Sequence, residues 1–260
     1  MLDKPGHIIT DLRKAIEDRA IEVHYQPQVS ADGNNIVGVE ALARLRKPDG
    51  TLAQPDEFIP NAQSDLDAIS LLGEFVLEQA CRDARSWEQI TVGLNVAPAQ
   101  CNRPDFAAHV LDVIARSGIA PQRLELEILE SSWFDDATTA VDVLRRLRTA
   151  GVSIAMDDFG TGYASLGALL ELPLNKLKID RSFISKCHEI RSASIVHAIV
   201  ALARAIGLKI TAEGVENKTQ ARFLRVAGCH YLQGFFFSPP VPASQITAMM
   251  SAKSAMPLSA

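Results

Sequence analysis

The chain has 260 residues, 47% of them hydrophobic, and a formal net charge of −5. That length and apolar content suit one large core, and barrels of alternating strand and helix reach this size as a single domain. The acidic balance excludes a broad basic surface for polymeric nucleic acid, since non-specific duplex binding rests on clustered Lys and Arg, and it leaves open a small anionic substrate held through metal ions.

The first predicted element is a helix at 11–19, followed by strand-like runs at 22–28 and 36–45 that only VSADGNN separates. A parallel crossover needs a dozen or more residues, so these two strands are expected to form an antiparallel hairpin. PDEFIP (55–60) reads as a turn fixed by two prolines rather than as a peptide-recognition segment. AISLLGEFVLEQACRDARSW (68–87) has apolar residues at helical spacing and leads to a strand at 91–97. RPDFAAHVLDVIARSG (103–118) offers Pro104 near the start of a helix and Gly118 past its end.

Further strands are expected at 124–129, 153–158, 176–180, 209–213 and 231–236. The helix in DDATTAVDVLRRLRTAG stops at Gly151, and NKTQARFLRVAG carries a capping box in Asn217 and Gln220. Strand and helix alternate after the hairpin. The expected class is therefore α/β, a modified TIM-type (β/α)8 barrel with an antiparallel first strand, with an open doubly wound sheet as the alternative. One domain is expected over 1–251, and AKSAMPLSA (252–260) reads as a flexible tail.

Cys81, Cys101, Cys187 and Cys229 lie far apart and form no CxxC pair, which fits reduced structural thiols rather than a zinc knuckle or disulfide scaffold. No apolar stretch approaches the roughly 20 residues needed to span a bilayer, and the N-terminus lacks a signal peptide's apolar region. A cytoplasmic location is expected, with no membrane segment in this chain.

The chemistry is concentrated where apolar runs end. Glu40 ends VGVE, Asn95 lies in VGLNVA, Glu127 in LELEILE, Asp157 and Asp158 in SIAMDDFGTG, and Glu213 in ITAEGVE. In a barrel, the C-terminal ends of different strands converge on one mouth, so these distant positions become neighbours. Glu40, Asn95, Glu127 and Asp157 are then expected to hold one cation and Asp158 to help hold a second, with Asp157 bridging. Oxygen-only ligands favour magnesium or manganese over zinc, and two such ions can drive phosphodiester hydrolysis. Lys178, at the end of NKLKID, is placed to bond the nucleophilic water or to stabilise phosphoryl charge. Asp180 shares its strand face and would orient Lys178 or meet the substrate.

Taken singly, these residues have plainer readings. A strand-end Glu40 or Glu213 is an ordinary cap or surface charge, Asn95 satisfies a turn, and Asp157 with Asp158 caps the next segment. Phe235, Phe236 and Phe237, placed in a strand, would face alternate sides and chiefly pack, with stacking on a planar ligand the lesser reading.

In combination and order, the motifs resemble the EAL-domain cyclic di-GMP phosphodiesterases of bacteria. They are YQPQ (25–28), EALAR (40–44), LNVA (94–97), LELEILES (124–131), DDFGTGYASL (157–166), LPLNKLKIDRSF (172–183), AEGVE (212–216) and QGFFFSPP (233–240). The resemblance implies metal-dependent hydrolysis of cyclic di-GMP to linear pGpG, with Glu40, Asn95, Glu127, Asp157 and Asp158 as metal ligands and Lys178 and Glu213 as catalytic residues. It further implies substrate contacts at Gln26, Leu42, Arg44, Asp180 and Gln233, two Mg2+ or Mn2+ ions, and Glu130 anchoring the loop that Gly160 and Gly162 make mobile. A homodimer and a fused or associated sensory domain are implied as well. The chain departs from the family pattern at Leu129, Gln63 and Pro239. The alternatives are a catalytically inactive cyclic di-GMP receptor, which would bind without turnover, and a protein-interaction signalling module, which would bind a partner instead.

Overall fold

The computed structural model describes residues 12–62, 66–130, 137–162 and 166–252. After a short helix α1 (12–17), β1 (Ile21–Ser30) and β2 (Ile36–Arg46) form the antiparallel hairpin, paired from Ile21↔Leu45 to Val29↔Ile36. Then come β3 (Leu52–Ala53), α2 (Pro55–Ala62), α3 (Leu66–Ala84), β4 (Thr91–Val96), α4 (Pro98–Cys101) and α5 (Phe106–Ser117). A 3-10 turn at Pro121–Arg123 leads into β5 (Leu124–Leu129), α6 (Ala137–Thr149), β6 (Ser153–Phe159), α7 (Leu166–Glu171) and β7 (Lys176–Ile179). The chain continues through α8 (Arg181–Ser185), α9 (Ile190–Ala205), β8 (Lys209–Ala212), α10 (Lys218–Ala227), β9 (Tyr231–Gln233), β10 (Val241–Pro242) and α11 (Ala243–Ser251).

Strands β2, β4, β5, β6, β7, β8 and β9 run parallel in that order, and β1 closes the ring by pairing antiparallel to both β2 and β9. Closure leaves no switch point and rules out the open doubly wound sheet. The two-residue strands β3 and β10 lie outside the ring, on β2 and β1.

Alternation explains which residues face where. On β5, Leu124, Leu126 and Ile128 point out to the helices and are at most 1% exposed, while Glu125 and Glu127 point into the barrel. On β7, Leu177 and Ile179 point out and Lys176 and Lys178 point in. The apolar core is thus the shell between strands and helices. Burying one such Leu or Ile side chain contributes about 1.5–3 kcal/mol.

Helix boundaries follow local chemistry. Helix α5 buries Phe106, Ala107, Val110, Val113 and Ile114 along one stripe and ends at Gly118, whose φ of +75° a side chain would strain. Helix α10 starts where Asn217 Oδ1 accepts from Gln220 N at 3.0 Å. A second apolar cluster gathers Leu12, Ile21, Ala43, Phe58, Ile69 and Leu72 beside the barrel mouth.

Two sequence expectations are corrected. PDEFIP is helical: Pro55 opens α2, Asp56 and Glu57 occupy its first turn, and Glu57 Oε1 accepts from Gln54 N at 2.8 Å. The last barrel strand ends at Gln233 rather than 236, so Phe235–Phe237 do not alternate across a sheet. Val215 N donates to Gln233 O at 3.0 Å and Phe236 N to Val215 O at 2.9 Å, which turns the chain over a glycine whose Cβ would collide with Val215 backbone. Gln63, Ser131 and the tail from 253 lie outside the described residues. All four cysteines are free and buried.

Candidate active site

The strand ends deliver their polar side chains to one mouth. Glu40, Glu127 and Asp157 each present a carboxylate oxygen within 4.8 Å of the others, and Asp157, Asp158 and Glu213 do the same, so Asp157 belongs to both groups. Irregular backbone makes this possible. The β6–β7 register shifts between Met156 and Phe159, and Asp158 takes φ +53°, a left-handed conformation that only a well-determined setting holds in a non-glycine residue. Asp158 N donates to Asp157 Oδ1 at 2.9 Å, and Thr161 Oγ1 donates to Asp158 O at 2.9 Å. Buried Glu130 fastens the loop, its Oε2 accepting from Gly160 N at 2.7 Å and Gly162 N at 3.3 Å.

Lys178, with no exposed surface, stands at the centre. Its Nζ is 2.6 Å from Glu213 Oε1, 3.2 Å from Asp157 Oδ1 and 3.5 Å from Glu40 Oε2, and it donates to Glu127 Oε2. Burial alone would depress the amine, but the charges of Asp157, Glu127, Glu213 and Glu40 outweigh it and hold Lys178 well above the ordinary lysine value. Lys178 is therefore a fixed cation, not a base.

The carboxylates divide by environment. Burial pushes Glu127 and Glu213 well above the usual range and raises Asp157, with neighbouring carboxylates adding to each. Asp158 rises to about 6 through burial and the charges of Asp157 and Asp180. Glu40 differs: burial pushes it up, yet Lys178 and hydrogen bonds from Gln233 and Asn95 more than offset that, leaving it below its usual value. Gln233 Nε2 donates to Glu40 Oε2 at 2.5 Å and to Gln26 Oε1 at 3.1 Å, and Asn95 Nδ2 donates to Glu40 Oε1 at 2.7 Å.

These residues fit divalent cations. Five carboxylates (Glu40, Glu127, Asp157, Asp158 and Glu213) crowd one lysine, every donor is a hard oxygen, and Glu127 Oε1 is buried with no hydrogen-bond partner among the described residues. Gly93 leaves that oxygen its space, because a Cβ there would collide with it.

Two cavities, of about 410 and 400 Å3, flank the cluster and share Leu42, Asp56 and Asp158 as a dividing ridge. The first also takes Gln26, Gln233, Glu213 and Asp180, the last of which caps α8 by accepting from Ser182 N at 3.0 Å. Asn95, exposed, lines the second cavity with Asp157. Arg44 is drawn into neither: it is 4% exposed and its Nη1 donates to Ala43 O at 2.8 Å. Sequence reasoning missed Asp56 and Arg181 and favoured packing for the 70% exposed Phe235, all three of which lie on the first cavity's wall. Pro at a helix start followed by acids was the available signal for Asp56; nothing in the sequence separated Phe235 from its two neighbours.

Fold and site together define an α/β-barrel domain whose mouth gathers a cluster of carboxylates that could hold metal ions. The chain belongs to the EAL domain family, whose model matches residues 9–240. It is 41% identical over 248 residues to an uncharacterized signaling protein of Caulobacter vibrioides, covering 95% of this chain and 30% of that protein. It is also 41% identical over 250 residues to the bifunctional diguanylate cyclase/cyclic di-GMP phosphodiesterase MucR of Pseudomonas aeruginosa, covering 94% of this chain and 36% of MucR. The chain thus spans about a third of the length of these curated relatives. A solved structure of the PaMucR phosphodiesterase in complex with c-di-GMP superposes with a TM-score of 0.87 at 41% identity, covering 92% of this chain and 99% of that one. No described helix is long and apolar enough to cross a membrane.

Proposed function

We propose that this chain is a metal-dependent phosphodiesterase that hydrolyses cyclic di-GMP to linear pGpG and so lowers a bacterial second messenger. The observation that carries this reading is Asp157 shared by two carboxylate groups around one buried lysine. Glu40, Asn95, Glu127 and Asp157 would hold one Mg2+ or Mn2+, and Asp157, Asp158 and Glu213 a second. The ions would supply an activated water, neutralise the phosphodiester and stabilise the leaving oxygen.

The chain's own residues do the rest. Lys178 keeps a proton at Nζ and offers fixed positive charge where charge develops on the phosphoryl group. Glu213, at the mouth, is assigned to orienting the attacking water. Gln233, itself bonded to Gln26, holds Glu40 in place, Leu42 and Phe235 offer apolar wall to a base, and Asp180 meets the substrate at the rim. Attack breaks one bridging P–O bond, and the departing 3′ oxygen takes a proton, leaving a 5′ phosphate on pGpG. Arg44 lies beneath the rim, where burial disfavours its charge and the carboxylates of Glu40 and Asp56 only partly offset that.

The family resemblance supports a homodimer, and the greater length of the relatives supports an attached sensory domain. Purified chain incubated with cyclic di-GMP and Mn2+ or Mg2+ should yield pGpG, and a chelator should stop it. Saturable binding without product under either metal would make the chain a receptor instead.

A further inference from the structure

Beneath the carboxylate layer the barrel interior holds a second ion pair. Lys176 Nζ lies 2.7 Å from Glu125 Oε1, one pleat below the Lys178–Glu127 bridge and on the same two strands. Both lysines cross β6 to reach β5. Ala155, which pairs with Glu127 on one side and Lys176 on the other, is the small β6 residue that leaves them room. Ser153 Oγ donates to Glu125 Oε2 at 3.2 Å, and the Tyr231 ring centre is 5.0 Å from Lys176 Nζ. The Lys176 and Glu125 side chains are 7% and 2% exposed.

Stability is a weak reason for such a pair, because desolvation of two buried charges offsets their attraction and apolar side chains would fill the same space. Geometry gives a stronger one. Without Glu125, the next anion above Lys176 on β5 is Glu127; without Lys176, the next cation above Glu125 on β7 is Lys178. We propose that Lys176 and Glu125 are positioning residues for the layer above, each withholding its partner from the wrong member of that layer. Glu125 keeps Lys176 off Glu127, leaving Glu127 Oε1 open to metal, and Lys176 keeps Glu125 from drawing Lys178 down and away from the mouth. The turnover arm of the test rests on the phosphodiesterase reading; the metal-binding arm does not.

The test compares Glu125→Gln, Lys176→Met and the double variant by Mn2+ titration, by kcat and KM for cyclic di-GMP, and by melting. Removing a partner that orients a metal ligand typically costs about 10–100-fold in metal affinity or activity. Glu125→Gln should lose Mn2+ affinity by that order, while Lys176→Met should lose kcat with Mn2+ affinity and KM retained. The double variant removes both misdirected charges and should recover both quantities toward the unaltered chain. A plug of purely structural importance predicts the reverse, a double variant at least as impaired as either single one with losses that follow the melting temperature; that result overturns the proposal, as do unchanged singles. Should Lys176→Met fail to fold, the isosteric Glu125→Gln decides alone, and normal Mn2+ affinity in it overturns the proposal. An unaltered chain that makes no pGpG, with Mn2+ binding still sensitive to Glu125→Gln, defeats the phosphodiesterase reading and leaves the positioning role standing.

Discussion

Gln233 Nε2 donates to Glu40 Oε2 at 2.5 Å across 193 positions of sequence. The bond spans β1, joining the two strands that flank the one antiparallel member of the ring. It is one of the reasons Glu40 stays ionised while its neighbours are pushed toward protonation. Replacing Gln233 with Ala removes a hydrogen bond to a buried carboxylate, an interaction of about 1.5–3 kcal/mol. Chemical denaturation of Gln233→Ala should show a loss of that order, accompanied by weaker Mn2+ binding. Stability and metal affinity both matching the unaltered chain would remove Gln233 from the site.

Asp157 and Glu40 should differ in kind when each is replaced by Ala. Asp157 belongs to both carboxylate groups and Glu40 to one. Calorimetric titration with Mn2+ should therefore find both ions weakened in Asp157→Ala but the ion assigned to Asp157, Asp158 and Glu213 retained in Glu40→Ala. Circular dichroism on the same samples separates ligand loss from unfolding. Identical binding curves for the two variants would contradict a shared Asp157.

The barrel was legible because the strands announce themselves as short apolar runs separated mostly by helical patterns, and the hairpin because VSADGNN is too short for a crossover. The upper layer was legible because its members end those strands. The layer beneath was not, although LELEIL and KLKI spell it out. Alternation of Glu or Lys with Leu ordinarily means a strand with one face in water. Only closure of the ring turns that face inward, and closure depends on β1 pairing with β9, more than 200 residues away in sequence. Arg44 shows the converse: its place on β2 was right, but which way a long side chain bends was decided by a local carbonyl, that of Ala43.

Loop geometry gives a third prediction. Glu130 accepts from Gly160 and Gly162, and this clamp adjoins Asp158, whose left-handed backbone has no glycine to ease it. Glu130→Ala should raise amide hydrogen exchange at 159–162 and weaken Mn2+ binding, although Glu130 is no ligand in the proposed scheme. Unchanged protection together with unchanged metal affinity would uncouple the loop from the site.

The last prediction concerns pH. Asp158 moves from an ordinary value of 3.8 to about 6 because burial and the charges of Asp157 and Asp180 penalise its ionised form. Between those values the metal-free folded chain binds more protons than the unfolded chain, so the stability Asp158 contributes is complete below 3.8 and is lost as pH rises through about 6. Glu127, Asp157 and Glu213, also raised, act in the same direction. Metal binding runs the other way, because a ligand carboxylate must shed its proton first. Mn2+ affinity should thus fall as pH drops below about 6, and the stability gained on adding Mn2+ should be larger at neutral pH than in acid. Asp158→Asn removes one of the titrating groups; it should bind Mn2+ more weakly at neutral pH and with a shallower pH dependence. Melting curves with and without Mn2+ at a series of pH values, run on both proteins, measure all three effects. An Mn2+ affinity indifferent to pH across that range in the unaltered chain would mean that the raised carboxylates are not the groups that hold the metal.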